Sequence, residues 1–250
     1  MMQYGAKLAE GKTKIVYAHP SDPALVVLVH KDSISAGDGA RRNEIEGKGA
    51  LSGRTAVNVF RFLNQSGVAT HFVDAPSALE MVTQRCEMIP VEVVMRRRAT
   101  GSYLRRHPET AEGTTFDPTL VEFFIKDDAN HDPQISEDEM IARGVATADE
   151  VAAMTEQGRR VFALLEQAWA AHDVALIDLK IEFGRDSAGN LIVADMIDND
   201  SWRIWPGGEK ARMLDKQIYR NMPSVTSEGL DALKQKYAEV ADLTERFAGA

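Results

Sequence analysis

The residues with most chemistry to offer lie in segment 175–205, ALIDLKIEFGRDSAGNLIVADMIDNDSWRIW. Two apolar-alternating runs flank a DSAGN turn and carry Asp178, Lys180, Glu182, Asp195, Asp198, Asp200 and Arg203. In a strand, side chains two residues apart share a face. Asp178, Lys180 and Glu182 therefore project one way, and Ile177, Leu179, Ile181 and Phe183 the other. Asp195 falls near the end of the return strand, across from the polar face. Carboxylates on neighbouring strands repel unless a cation lies between them, so Glu182 and Asp195 point to a divalent metal. Oxygen ligands, few of them from protein, suit Mg2+ held jointly with substrate phosphates. Lys180 faces the same pocket, and Arg203 offers a guanidinium to an anionic substrate. The bland alternative is a charged hairpin laced by cross-strand salt bridges.

Basic clusters elsewhere point to anions. EGKTKIVY places a glycine turn before Lys12 and Lys14, two apart on one face. A glycine turn lets backbone N–H groups approach a phosphate, and a lysine on the next strand can reach its oxygens. This is not the P-loop spacing, and a charged edge strand that discourages pairing fits as well. In MRRRATGSY, alternation sends Arg96 and Arg98 one way and Arg97 the other, and Ser102 follows a glycine. Arginine forks match phosphate and carboxylate oxygens. Segment 30–42 reads as a glycine-punctuated loop carrying Asp38, and KDDANHDP as a polar loop carrying Lys126 and Asp132. No HExxH spacing supports zinc. After a glycine-rich loop at 206–208, Asp215 and Lys216 either close the pocket from the C-terminal side or form an ordinary salt-bridged surface.

These groups need a frame. At 250 residues with 44% apolar content, the chain can bury a full core. A net charge of −9 argues against nucleic acid as a partner but leaves room for a local basic pocket. The single cysteine, Cys86, allows no intrachain disulfide and fits a reducing, cytoplasmic setting. No apolar run reaches membrane-spanning length. Short strands are expected at 7–10, 13–18, 24–30, 70–73, 79–85 and 91–95, the last beginning afresh after Pro90. Helices are expected at 47–65, at 147–171 with Thr147 or Asp149 as cap, and at 230–247. Segment 105–136 reads as loops around a short strand at 121–125. Without regular βαβ alternation the fold class is α+β. Two lobes are expected, residues 1–85 and 86–250, with a ligand cleft between them.

The motifs EGKTKIVY, SAGDGAR, GVATH, MIPVEVVMRRRATGSY, KDDANHDP, LIDLKIEFG, SWRIW and DKQIYR occur in an order that resembles the SAICAR synthetase family of purine biosynthesis. The resemblance spans nearly the whole chain. It implies a two-lobe fold whose N-terminal antiparallel sheet resembles the nucleotide-binding lobe of protein kinases. It also implies ATP and Mg2+ as cofactors, a homodimer or larger assembly, and an amide ligase acting on carboxyaminoimidazole ribonucleotide and L-aspartate. Carried over by position, Lys12 and Lys14 resemble the phosphate lysines, and Lys126 and Lys180 nucleotide-side residues. Glu182 and Asp195 resemble the metal-linked acids. Arg96, Ser102 and Arg203 resemble contacts to the ribonucleotide phosphate. Asp38, Asp132, Asp178 and Asp200 lie on the substrate side, with Lys14, Arg96, Asp132, Asp178 and Arg203 nearest the chemistry. The chain departs from the family at Met196, where glutamate is common, and at Asn199, where proline is.

A carboxylate is a poor electrophile, so amide formation calls for an acyl phosphate, with the protein supplying positioning and charge neutralisation. No Ser-His-Asp or Cys-His arrangement offers a covalent nucleophile. Asp178 or Asp132 could accept the proton of the amine. Two other readings compete: a small-molecule kinase with a hydroxyl acceptor, and a non-catalytic nucleotide-binding regulator.

Overall fold

The computed structural model describes residues 3–37 and 39–247. The chain opens with strands β1 (Lys7–Glu10), β2 (Lys14–Ala18) and β3 (Leu25–His30), then a small hairpin of β4 (Ser33–Ala36) and β5 (Arg41–Glu44). Helix α1 (Lys48–Gln65) follows, then β6 (Phe72–Ser77) and β7 (Glu80–Gln84). The first sheet is antiparallel, in the order β1-β2-β3-β7-β6. The apolar run of β3 places it inside the sheet: Val27 is fully buried, and Val26 and Leu28 nearly so, because β3 is covered on both faces. Helix α1 lies close to β3 and β7. A Cβ on Gly53 would stand 2.2 Å from the Ala78 carbonyl oxygen and 2.7 Å from the His30 ring, so only glycine permits this approach.

The second sheet is built from β8 (Glu87–Arg98), β9 (Thr115–Ile125), β10 (Gln134–Ile135), β11 (Val174–Arg185), β12 (Leu191–Ala194) and β13 (Trp202–Pro206). Its order is β10-β9-β8-β11-β12, with β13 also pairing β11. Short helices α2 (Ser102–Arg106) and α3 (Glu137–Ala142) interrupt it, and α4 (Ala148–Ala170) covers it. Thr147 and Glu150 form a reciprocal capping box at the start of α4. Below them Val151, Met154, Val161, Phe162, Leu165 and Trp169 are buried in one stripe. Burying each such side chain contributes roughly 1.5–3 kcal/mol. Helices α5 (Gln217–Asn221) and α6 (Ser227–Thr244) end the described chain. The main core runs across both sheets, from Leu28 and Phe60 to Met95, Ile181 and Phe183. A second core of Ile34, Ile45, Tyr219, Leu233 and Tyr237 fastens the β4–β5 hairpin to α5 and α6. Among the described residues no helix is long and apolar enough to cross a membrane.

Four expectations need correction. Strand β8 does not begin after Pro90 but runs through it. In the β8–β11 register Glu182 faces Glu92 while Gly184 faces Met88, so the proline sits in a bulge where its missing N–H costs no ladder bond. Segment 105–136 is not mostly loop, because β9 is an 11-residue strand between β8 and β10. Its Pro118 likewise falls within a register shift, between Arg96↔Leu120 and Arg98↔Thr115. Segment 30–42 holds the β4–β5 hairpin. The 175–205 hairpin contains three strands: β12 and β13 divide one edge of β11, and β8 takes the other.

Candidate active site

The polar face of β11, with Lys180 and Glu182, meets the first sheet at a cavity of about 500 Å³. Glu182 is buried on its floor. Its carboxylate accepts from Lys126 Nζ at 2.8 Å and Lys180 Nζ at 2.7 Å. Burial alone would raise the Glu182 carboxyl, but Lys180 and Lys126 outweigh it and hold the group at about 2. Burial likewise opposes the charge of Lys180, and Glu182 with Glu92 more than restores it. Asp195 reaches the same cavity by a different device. Glu182 pairs with Ala194, so a regular strand would send the next side chain to the opposite face. Asp195 leaves the strand with φ +63, a left-handed conformation that turns it back into the cavity. There it pairs with Lys14 from β2, an ion pair between the two sheets, while Lys180 stands 3.9 Å away. Burial draws Lys14 down to about 8, partly countered by Glu182.

An apolar cavity of about 330 Å³ continues from the Lys14–Asp195 pair, walled by Leu8, Val16, Val26, Leu28 and Met88. On the other side, a cavity of about 200 Å³ shares Glu92, Lys180, Asp200 and Arg220 with the main one. It brings Arg96, Ser102, Asp178 and Arg203 together. The β11 register places Asp178 between Arg96 of β8 and Arg203 of β13. Asp178 Oδ2 accepts from Arg96 Nη1 at 3.0 Å and from Arg203 Nη1. Arg96 is 3% exposed and also donates to Glu122 at 2.5 Å and Ser102 Oγ at 3.3 Å. Gly101, at φ +58, lies against Arg203, and a Cβ there would stand 2.4 Å from Nη2. Asp178 thus spaces two guanidiniums.

The loop after Asp195 is fixed from below. Asp200 accepts from Lys216 Nζ at 2.8 Å and from the Tyr237 hydroxyl at 2.9 Å. Burial opposes its charge, but Lys48 and Lys216 hold its carboxyl low. Burial and the neighbouring Asp200 push Asp198 up. Burial pushes Asp215 up to about 6, although the Gln217 and Ile204 N–H groups oppose this. Ser201 Oγ donates to the Met196 carbonyl, and buried Asn199 donates to the Leu214 carbonyl at 3.2 Å. The two departures from the family pattern therefore sit inside a cross-braced loop.

Of the residues expected from sequence, Lys12, Lys14, Lys126, Asp132, Lys180, Glu182, Asp195 and Asp200 line the main cavity, and Arg96, Ser102, Asp178 and Arg203 its neighbour. Asp132 is left-handed at φ +47, and its Oδ1 accepts from the Asp127 N–H at 2.7 Å. Asp38 lies outside the described residues. Sequence reasoning missed Glu92, Glu122, Arg220 and Tyr237. Glu92 was within reach, since it lies two and four residues before Val94 and Arg96 on one strand face. Glu122 lies within the short strand expected at 121–125, but only the pairing of that strand with β8 sets it beside Arg96, and nothing in α6 marks Tyr237.

Glu182 and Asp195 present only oxygen donors to a cavity rich in cations. Among the described residues no group of three or more His, Cys, Asp and Glu gathers as a metal cage. Two carboxylates with an open remainder suit Mg2+ completed by phosphate oxygens, and unsuit a closed structural metal site.

A model of the family described as SAICAR synthetase matches residues 7–237. The chain belongs to the SAICAR synthetase family. A phosphoribosylaminoimidazole-succinocarboxamide synthase from Roseiflexus sp. (strain RS-1) is 68% identical, covering 98% of this chain and 99% of that one. The solved synthase from Ehrlichia chaffeensis superposes with TM-score 0.86 at 29% identity, over 96% of this chain and 98% of that one. A type-2 SAICAR synthetase in complex with ADP gives TM-score 0.81 at 30% identity, over 92% and 97%. The α+β architecture is thus that of SAICAR synthetases.

Proposed function

We propose that this member of the SAICAR synthetase family joins the carboxylate of carboxyaminoimidazole ribonucleotide to the amine of L-aspartate, with ATP going to ADP and phosphate, in purine biosynthesis. The observation that carries this reading is the run of connected cavities. An apolar chamber opens at Lys14 and Asp195 onto a lysine- and carboxylate-lined space, which opens in turn onto paired arginines. A nucleotide base suits the first, its phosphates the second and a ribonucleotide phosphate the third. The ADP complex of a relative supports nucleotide use.

Lys12, Lys14, Lys126 and Lys180 neutralise phosphate charge, and Lys14 exchanges its Asp195 partner for a phosphoryl oxygen. Glu182 and Asp195 would hold Mg2+, which supplies charge neutralisation on phosphate oxygens when bound. Arg203 contacts the ribonucleotide phosphate, with Ser102 beside it and buried Arg96 holding the clamp in register. The substrate carboxylate attacks the terminal phosphorus and ADP leaves. The amine of aspartate then attacks the carbonyl carbon, and phosphate leaves with the bridging oxygen. Asp178 Oδ2 is already engaged by two guanidiniums, so Asp132 is the proton acceptor. Asp38 and Asp200 complete the substrate side. Residues 1–85 serve as the nucleotide lobe and 86–250 as the substrate lobe. A cytoplasmic homodimer or larger assembly completes the reading, and sedimentation tests the assembly.

The purified protein given ATP, Mg2+, the ribonucleotide and L-aspartate should yield ADP, phosphate and amide in equal amounts. ATP consumption with the ribonucleotide alone, leaving a stable phosphomonoester, would instead mark a kinase. Nucleotide binding without turnover would mark a regulator.

A further inference from the structure

We propose that Lys48, which lines none of the cavities described above, is a positioning residue for the reaction: its ammonium is the fixed counter-charge that ties the acidic loop of Asp198 and Asp200 to helix α1. This rests on the ligase reading above. Lys48 is the first residue of α1 and is only 1% exposed. Both circumstances oppose it, since the start of a helix repels a cation and burial strips an ammonium of its water. The helix start is served by Asp32 instead, whose carboxylate accepts from the Gly47 and Gly49 N–H groups at 3.0 and 2.8 Å. A methionine would fill the same space, so what Lys48 adds is its charge.

The charge is directed at the acidic loop. The ammonium lies 5.5 Å over the Tyr237 ring, and the Tyr237 hydroxyl donates to Asp200 Oδ1 at 2.9 Å. Asp198 Oδ1 accepts from the Asp200 N–H at 2.9 Å, so the two acids form one unit. Lys48 favours the charged form of both. Lys216 favours that of Asp200 from 2.8 Å, but it lines the main cavity and can swing to an anionic substrate. Buried Lys48 has no such route. Ser52 of α1 and Lys14 of β2 also face Asp198, and Asp215 acts on Tyr237. The titratable neighbour of Lys48 on β3 is His30, kept neutral by burial. The loop so held carries Asp195 at one end and Arg203 at the other, so the metal side and the phosphate side keep their spacing while it stays docked. Without Lys48 the two acids share one cation. Burial then favours protonation of the pair, and a protonated Asp200 loosens its hold on Lys216 and the Tyr237 hydroxyl.

The test is Lys48→Met, which keeps length and packing and removes the charge. It is read as pH profiles of kcat and of ribonucleotide binding by equilibrium dialysis. At neutral pH kcat should fall about tenfold to a hundredfold. The acid limb of both profiles should move up by about one pH unit or more, so that raising the pH recovers part of the loss. Lys48→Arg, which keeps the charge, should restore the wild-type limb. Tyr237→Phe, which keeps the ring and removes the hydroxyl, should move the limb the same way by less, and it replaces Lys48→Met as the test if that variant does not fold. A wild-type limb in the variant tested, or a loss of the same size at every pH, overturns the positioning role and leaves the ligase reading intact. A displaced limb of ribonucleotide binding, when the wild-type protein binds the ribonucleotide but forms no amide, upholds the positioning role and overturns the ligase reading.

Discussion

Arg203 and Arg96 reach the same oxygen of Asp178, yet they are not equivalent. Arg96 is buried and also paired with Glu122, whereas Arg203 keeps a partly exposed side chain on its cavity. Arg203→Ala should therefore fold and should weaken ribonucleotide binding by roughly 2–5 kcal/mol, the cost of truncating one side of a buried charge pair. Steady-state kinetics check it: KM for the ribonucleotide should rise far more than KM for ATP. An effect on ATP alone would place Arg203 on the nucleotide side. Asp195 permits an equally clean change. Asparagine tolerates the left-handed backbone seen at φ +63, so Asp195→Asn removes charge while keeping shape. Turnover should collapse and its magnesium dependence should weaken. A wild-type magnesium titration in this variant would remove Asp195 from the metal site.

Elements set where these side chains stand, and one glycine shows how closely. Gly101 combines φ +58 with an approach that puts a Cβ 2.4 Å from Arg203 Nη2. Gly101→Ala should displace Arg203 and raise ribonucleotide KM, while circular dichroism shows the fold retained. Unchanged ribonucleotide KM would mean that the guanidinium does not depend on this contact. Such coupling was partly legible in the sequence. The polar alternation of Asp178, Lys180 and Glu182 reported the cavity floor directly, because strand period alone fixes the face. A cap at the start of α4 was legible for a similarly local reason, with Thr147 and Asp149 both candidates, but its reciprocal partner Glu150 was not read. The full lengths of β8 and β9 were not, because Pro90 read as a break and the strand at 121–125 read as a short one among loops, until the register shifts that absorb Pro90 and Pro118 are seen. Nor was the turn of Asp195 into the cavity, since a left-handed aspartate carries no sequence mark. The support of Asp200 by Tyr237 joins residues 37 apart and follows only from packing of α6.

At the scale of the molecule, two buried histidines tie stability to pH. Burial draws His30 down to about 4 and His71 to about 3, from an ordinary 6.5. Both are neutral in the fold, so their contribution is full above pH 6.5. It falls as the unfolded chain takes up protons, through pH 4 for His30 and pH 3 for His71. Glu182 adds a contribution that is full above 4.5 and is lost as pH falls towards 2. Together the histidines should cost several kcal/mol of stability, to order of magnitude, between pH 6.5 and 4. Urea unfolding across that range measures it, and His71→Gln should flatten the slope. A flat wild-type profile would contradict the neutral buried state.

The proposed ligase reading has one central consequence: because a carboxylate is a poor electrophile, the ribonucleotide carboxylate should be phosphorylated before the amine attacks it. Substrate carrying heavy oxygen in that carboxylate, supplied with ATP and L-aspartate, reports which bond breaks. One labelled oxygen should appear in inorganic phosphate for each amide formed, because phosphate departs with the bridging oxygen. Unlabelled phosphate, with exchange controls clean, would contradict it.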